Sequence, residues 1–169
     1  KISPVKAFVN LFKKTPYNFE RFIDKNVVEE LTKLLKSEQF DIIQVEGAQI
    51  AYYVEVIKKI TKTPVIMRAH NVESKIWERL SKQESNPFKK WYLGYLTKGI
   101  DWYEKKYLNQ FDEIIAITER DKQVFESKGI KKDISVVPAG VDFDRIEGKA
   151  INTKTQTLFI LGDLNWKPN

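Results

Sequence analysis

The stretch Pro64-Val65-Ile66-Met67-Arg68-Ala69-His70-Asn71-Val72-Glu73 sets the reading of the whole chain. Thr63-Pro64 restarts the backbone in an extended conformation, and Val65–Met67 is a short apolar run, too brief for a helix. It reads as a buried strand that enters a polar cluster directly. His70 is the only histidine. Histidine is also the one side chain whose unperturbed pKa lies near neutrality, so proton handling at pH 7 would fall to it first. A lone histidine after a strand is also commonly a hydrogen-bonded loop residue. Both readings stay open until the other polar clusters are placed.

Working outward, Phe40–Glu46 is a second β-branched run, broken by Gly47. Ala48–Ile60 follows as a helix, with Lys58 and Lys59 at its negative end. Before it, Thr15-Pro16 looks like a cap and a first helical residue. The helix that follows places Phe19, Phe22, Ile23, Val27, Leu31, Leu34 and Leu35 on one stripe as far as Lys36–Gln39. On the other side, a helix is expected from Ser74 to about Gln83. Asn86-Pro87 opens a long helix to about Leu108. Trp91, Tyr95, Trp102, Tyr103 and Tyr107 along it read as core. Glu113–Ile117 is the clearest strand. Thr118 caps the next helix, with Asp121 three residues on, and Gly129 stops it after Lys128. Ile134–Val137 is a further strand, closed by Pro138-Ala139-Gly140-Val141-Asp142. Residues 148–156 read as a linker into a last strand, Leu158–Leu161.

Strand and helix therefore alternate, which predicts an α/β domain with a parallel sheet flanked by helices. Such sheets bind ligands outside the carboxyl ends of their strands. Those ends carry Glu46-Gly47, His70-Asn71, Thr118-Glu119-Arg120 and Pro138 to Asp142. That coincidence favours a site reading for His70.

Composition narrows the chemistry. The 169 residues are 42% apolar, enough for a real core, and contain no cysteine. Disulfides, thiolate metal sites and a cysteine nucleophile are excluded, and a reducing, cytoplasmic setting fits. The net charge of +6 is uneven: Lys1, Lys6, Lys13 and Lys14 stand in the first fourteen residues without an acid. A local basic arm fits this pattern, and a nucleic-acid-coating surface does not. No P-loop, no GxGxxG after a strand and no GxSxG elbow occurs. His70 and Glu73 alone do not make a metal site, so no metal is expected. No apolar run is long enough for a membrane span, and no signal-peptide pattern opens the sequence.

The blocks FDIIQVEG (40–47), VIMRAHNVES (65–74), FDEIIAITERD (111–121) and ISVVPAGVD (134–142), with the tail LFILGDLNWKPN (158–169), resemble family 4 glycosyltransferases of the GT-B fold. The resemblance covers residues 15–169. It implies a Rossmann-like, acceptor-side domain over residues 1–150. Residues 151–169 would then be a linker and the first strand of a donor-binding domain. It further implies retaining transfer from a nucleotide-sugar donor to a glycan or lipid-linked acceptor, with no cofactor and no bound metal. Carried onto this sequence, His70 would face the cleft near the transferred sugar, where it could stabilise developing charge. Glu46, Gly47, Asn71 and Glu73 would shape the substrate loop, Thr118 would cap the helix beneath it, and Pro138 and Gly140 would form the interdomain turn. Many family members carry Asn where this chain has Ala139, so no polar contact is assigned there.

The family's glycine-rich first strand–loop and its Glu-x7-Glu motif fall outside these residues, so the chain reads as an inactive fragment of a longer enzyme. A nucleotide-sugar epimerase of the same architecture and a non-catalytic binding module are the alternatives. Expected partners are the donor, the acceptor, an anionic membrane surface at the inner face met by residues 1–14, and a second copy through residues 157–162.

Overall fold

The computed structural model describes residues 10, 13, 15–142 and 144. The chain forms two compact units, Lys1–Pro138 and Ala139–Asn169. In the second, the described residues 139–142 and 144 are exposed, and Asp144 N donates to Asp142 Oδ1 (3.2 Å). The expected linker 148–156, the strand Leu158–Leu161, its self-associating segment 157–162, and all of the basic arm except Asn10 and Lys13 lie outside the described residues.

The first unit runs α1 (Tyr17–Glu20), α2 (Lys25–Ser37), β1 (Ile43–Glu46), a 3₁₀ turn (Ala48–Ile50), α3 (Tyr53–Ile60), β2 (Val65–Ala69), α4 (Glu73–Gln83), α5 (Pro87–Leu108), β3 (Glu113–Ala116), α6 (Glu119–Ser127) and β4 (Asp133–Val136). The four strands form one parallel sheet in the order β1-β2-β3-β4. Adjacent parallel strands joined in sequence by right-handed crossovers carry those crossovers on one face. The burial pattern agrees. Val45, Val65, Met67, Ala69, Ile114, Ala116 and Ile134 are buried, whereas Gln44, Ile66, Arg68, Ile115 and Ser135 on the alternate face stay half-buried or exposed. The core between sheet and helices adds Phe19, Val54, Ile57, Ile100, Tyr103, Leu108, Phe111 and Phe125.

The single helix expected from Pro16 to Lys36 is two helices. Asp24 ends the first stretch and caps α2 by accepting from Asn26 N (2.8 Å). The Tyr53 hydroxyl stitches the break, donating to the Phe22 carbonyl (2.8 Å) and accepting from Asp24 N (3.1 Å). The apolar stripe is accordingly interrupted, and Phe22, Val27 and Leu34 are exposed. The first strand begins at Ile43, leaving Phe40 and Ile42 exposed, and the helix expected at Ala48 opens as a 3₁₀ turn. Tyr103 and Tyr107 are core, whereas Trp91 and Trp102 are exposed and Tyr95 is only half-buried, outside the core. Lys13, expected to lack a nearby acid, pairs with Glu20.

Thr15 does not cap α1: the helix begins at Tyr17, Pro16 takes the cap position, and no side chain bonds there. The later caps are as expected. The Asn86 side chain accepts from Phe88 N and Lys89 N, with Pro87 at the first turn. Thr118 Oγ1 accepts from Asp121 N (3.1 Å). Gly129 takes φ 84° at the end of α6, the left-handed conformation that suits glycine there.

Candidate functional site

The strand ends are in register. Glu46, Arg68, Ile115 and Ser135 share one row across the sheet, and Ala69, Ala116 and Val136 the next. The loops that follow therefore leave one edge, the carboxyl edge, with neighbouring strands about 4.8 Å apart. His70, one residue past β2, reaches across to β1. Its Nε2 and Glu46 Oε2 are 2.6 Å apart. Neither side chain is buried. Gln44 Nε2 donates to the other carboxylate oxygen, and Arg68 Nη1 stands 4.0 Å from it. The bond from His70 is the largest influence on the Glu46 carboxyl. Burial, the next, opposes it, but with the bond from Gln44 and the charges of His70 and Arg68 the carboxyl is held below its ordinary range. The result is a carboxylate-held imidazole on an accessible edge. With Nε2 engaged by Glu46, Nδ1 is the ring atom for a further partner.

Gly47 makes this edge turn. Its φ of 88° is a region that L side chains rarely adopt, and a Cβ there would sit 2.8 Å from Gln49 Oε1. Its N–H donates to the Arg68 carbonyl (3.0 Å), extending the β1–β2 ladder one step past Glu46. The turn delivers Gln49, whose side chain bonds Glu73 at the start of α4.

The Glu73 carboxyl is pushed upward, by burial first and then by the charge of Glu104, against the bond from Gln49 and the charge of His70. A carboxyl raised in the fold favours the protonated state. Its contribution to stability is therefore fully present below its unfolded pKa and is lost as pH rises through the folded value. Glu73→Gln mimics the protonated form. It is expected to stabilise the protein at about pH 8 and to have no such effect at about pH 4, below the ordinary carboxylate value. Urea midpoints at the two pH values check this, and equal midpoint shifts would refute it.

Thr118 is engaged as a cap, with its hydroxyl also donating to Asp121 Oδ2 (2.9 Å). Asn71 is half-buried in the His70 loop. Pro138 is exposed just past β4 at the same edge. Gly140 belongs to the second unit and does not have a positive φ, so backbone geometry does not require glycine there. The sequence reading did not single out Gln44, Gln49 or Arg68. Alternation along β1 puts Gln44 on the face of Glu46, but the pairing with Arg68 depends on register, which one strand does not disclose.

The reading also missed what lies behind the loop. Glu104 is fully buried between α4 and α5. It accepts from Ser74 N (3.4 Å) and from Lys128 Nζ. Lys128 also bonds Ser74 Oγ and pairs with Asp101 (3.0 Å). This cluster fastens the first turn of α4, three residues past the His70-Asn71 pair, to α5 and to the end of α6. Among the described residues, no group of three or more His, Asp or Glu side chains gathers in a way that could hold a metal ion.

Fold and site together define a Rossmann-like α/β domain whose polar groups converge on the carboxyl edge of a parallel sheet. The family model for Glycosyltransferase Family 4 matches residues 5–145, and the chain belongs to that family. Nothing among curated proteins or among solved structures matches the chain significantly. No described helix is long and apolar enough to cross a membrane.

Proposed function

We propose that this domain works in a retaining glycosyltransferase, moving a sugar from a nucleotide-sugar donor to a glycan or lipid-linked acceptor. The carrying observation is the Glu46–His70 pair on the carboxyl edge of a family 4 domain. Glycosyl transfer separates charge between the anomeric carbon and the departing nucleotide. A hydrogen-bonding ring fixed in orientation by a carboxylate suits such developing charge, because it needs no reorganisation as the charge appears. In this reading His70 contacts the transferred sugar, Glu46 orients His70, and Gly47 and Gln49 set the turn beside them. Glu73 and Asn71 shape the loop, Thr118 caps the helix beneath it, and Pro138 contributes backbone. The donor enters as substrate, and residues 1–150 form the acceptor-side domain.

The test is product analysis with a panel of UDP- and GDP-sugars and candidate acceptors, using the longest form of the protein its gene encodes. A new glycoside that keeps the donor's anomeric configuration is the expected product. Released nucleotide together with an epimerised sugar and no glycoside would overturn transfer in favour of epimerisation. Binding of sugars without turnover would favour a non-catalytic module.

A further inference from the structure

We propose that the far end of the α4–α5 hairpin is a docking surface for a membrane leaflet containing anionic lipid. The geometry begins with Glu104, which meets Ser74 N at the start of α4 and so lies level with the carboxyl edge of the sheet. Four residues later α5 ends, and Asp112 N donates to Val65 O at the amino end of β2 (2.9 Å). The part of α5 before Glu104, seventeen residues from Pro87, is therefore roughly 25 Å of helix on the far side of that edge. Helix α4 accompanies it, with Ser81 Oγ donating to the Lys90 carbonyl (3.2 Å). The hairpin thus extends from the same edge that carries Glu46 and His70.

Its outer surface is not that of an ordinary solvated helix. Phe88, Trp91, Tyr95 and Trp102 recur at helical spacing on one stripe. That stripe is turned well away from the buried one of Leu96, Ile100, Tyr103 and Tyr107. Phe88 is 83% exposed and Trp91 66%. A cavity of about 340 Å³ lined by Pro16, Leu96 and Gly99 continues the stripe beside Tyr95 and Trp102. Between residues 79 and 99, Arg79, Lys82, Lys89, Lys90 and Lys98 are all exposed, against one carboxylate, Glu84. Lys82 pairs with Glu78 (2.7 Å), and Glu84 accepts from Asn86 N (2.9 Å).

Exposed Trp and Phe on one face with lysines around them is the pattern of a helix that lies in a lipid interface. Charge selects the occupant. A second copy of this surface would set cations against cations. A polynucleotide would use aromatic faces as stacking platforms, yet the Trp91 and Tyr95 rings lie against each other (6.3 Å, 22°). Anionic headgroups with acyl chains beneath them satisfy the lysines and the aromatic rings at once. Seated this way, the hairpin would hold the His70 edge over the bilayer, within reach of a lipid-linked acceptor.

The surface stands without glycosyl transfer, so its test needs no activity, and its failure leaves the proposed function untouched. The full chain is co-sedimented with vesicles of phosphatidylcholine alone and of phosphatidylcholine with phosphatidylglycerol. Binding is expected only to the anionic vesicles and should fade with added salt. Phe88→Ser with Trp91→Ser should weaken it about tenfold or more, since each removes an apolar group from the interface. Lys89→Ser with Lys90→Ser should weaken it chiefly at low salt. All four side chains are exposed, so the melting temperatures should not move. Equal binding to neutral vesicles, no binding to anionic ones at low salt, or undiminished binding by the Phe88/Trp91 variant would overturn the proposal. So would loss of binding only on removal of residues 1–9, or capture of an oligonucleotide in place of vesicles.

Discussion

Lys128→Met is expected to destabilise the fold by about 3–5 kcal/mol, the range for removing one partner of a buried ion pair. The side chain of Lys128 is 9% exposed and that of its partner Glu104 is 0% exposed. Methionine keeps the apolar stem and removes only the ammonium. Glu104 would then retain the long contact from Ser74 N and otherwise face a low-dielectric interior. At roughly 2–4 °C per kcal/mol for a domain of this size, the melting temperature should fall by about 10 °C. The charge, not the shape, is responsible, so Glu104→Leu combined with Lys128→Met should recover most of the loss. Thermal melts followed by circular dichroism decide. A single variant that melts within a degree or two of the native chain would show that the cluster contributes nothing net. Asp101 adds an acid sensitivity. Burial raises its carboxyl, but bonds to Lys105 and Lys128 outweigh this and leave it below the ordinary range. A carboxyl lowered in the fold contributes stability above its unfolded pKa, and that contribution is lost as pH falls through the folded value.

Much of this architecture is local and so legible. Gly47, Asn86-Pro87, Thr118 and Gly129 punctuate the chain by backbone chemistry that involves only near neighbours. The parallel sheet and its shared carboxyl edge follow from the alternation of elements, whereas the sequential order β1-β2-β3-β4 is disclosed by the structure alone. The misses are long-range. The break at Arg21–Asp24 depends on the Tyr53 hydroxyl, about thirty residues away in sequence. The exposure of Trp91 depends on α5 extending past the sheet, and periodicity reports a stripe without saying what covers it. The buried Glu104 looks in sequence like any helical acid among lysines. Its partner Lys128 is 24 residues on, beyond any spacing rule for helix faces. His70 was visible because it is unique, whereas Glu46 gained its role only through the β1–β2 register.

In any form of the protein that transfers glycosyl groups, His70→Ala should lower kcat by about 10²–10³, the usual cost of one lost contact to developing charge. It should change stability by no more than about 0.5 kcal/mol, as for other exposed positions. An early melt with a normal rate in the folded fraction would instead make His70 a structural loop residue. Glu46 does not itself touch the sugar in this scheme, so it needs a readout independent of turnover. The bond from His70 is the largest influence holding its carboxyl down. Removing the imidazole should therefore let Glu46 titrate at higher pH, back toward an ordinary glutamate, as followed by carboxyl carbon NMR. Glu46→Gln should in turn lower kcat less than His70→Ala, because the ring remains with a weaker, uncharged acceptor to orient it. If Glu46 titrates identically with and without His70, the two side chains are not coupled in solution. The imidazole would then lack the fixed orientation that charge stabilisation at this edge requires, and the case for transfer would rest on family membership alone.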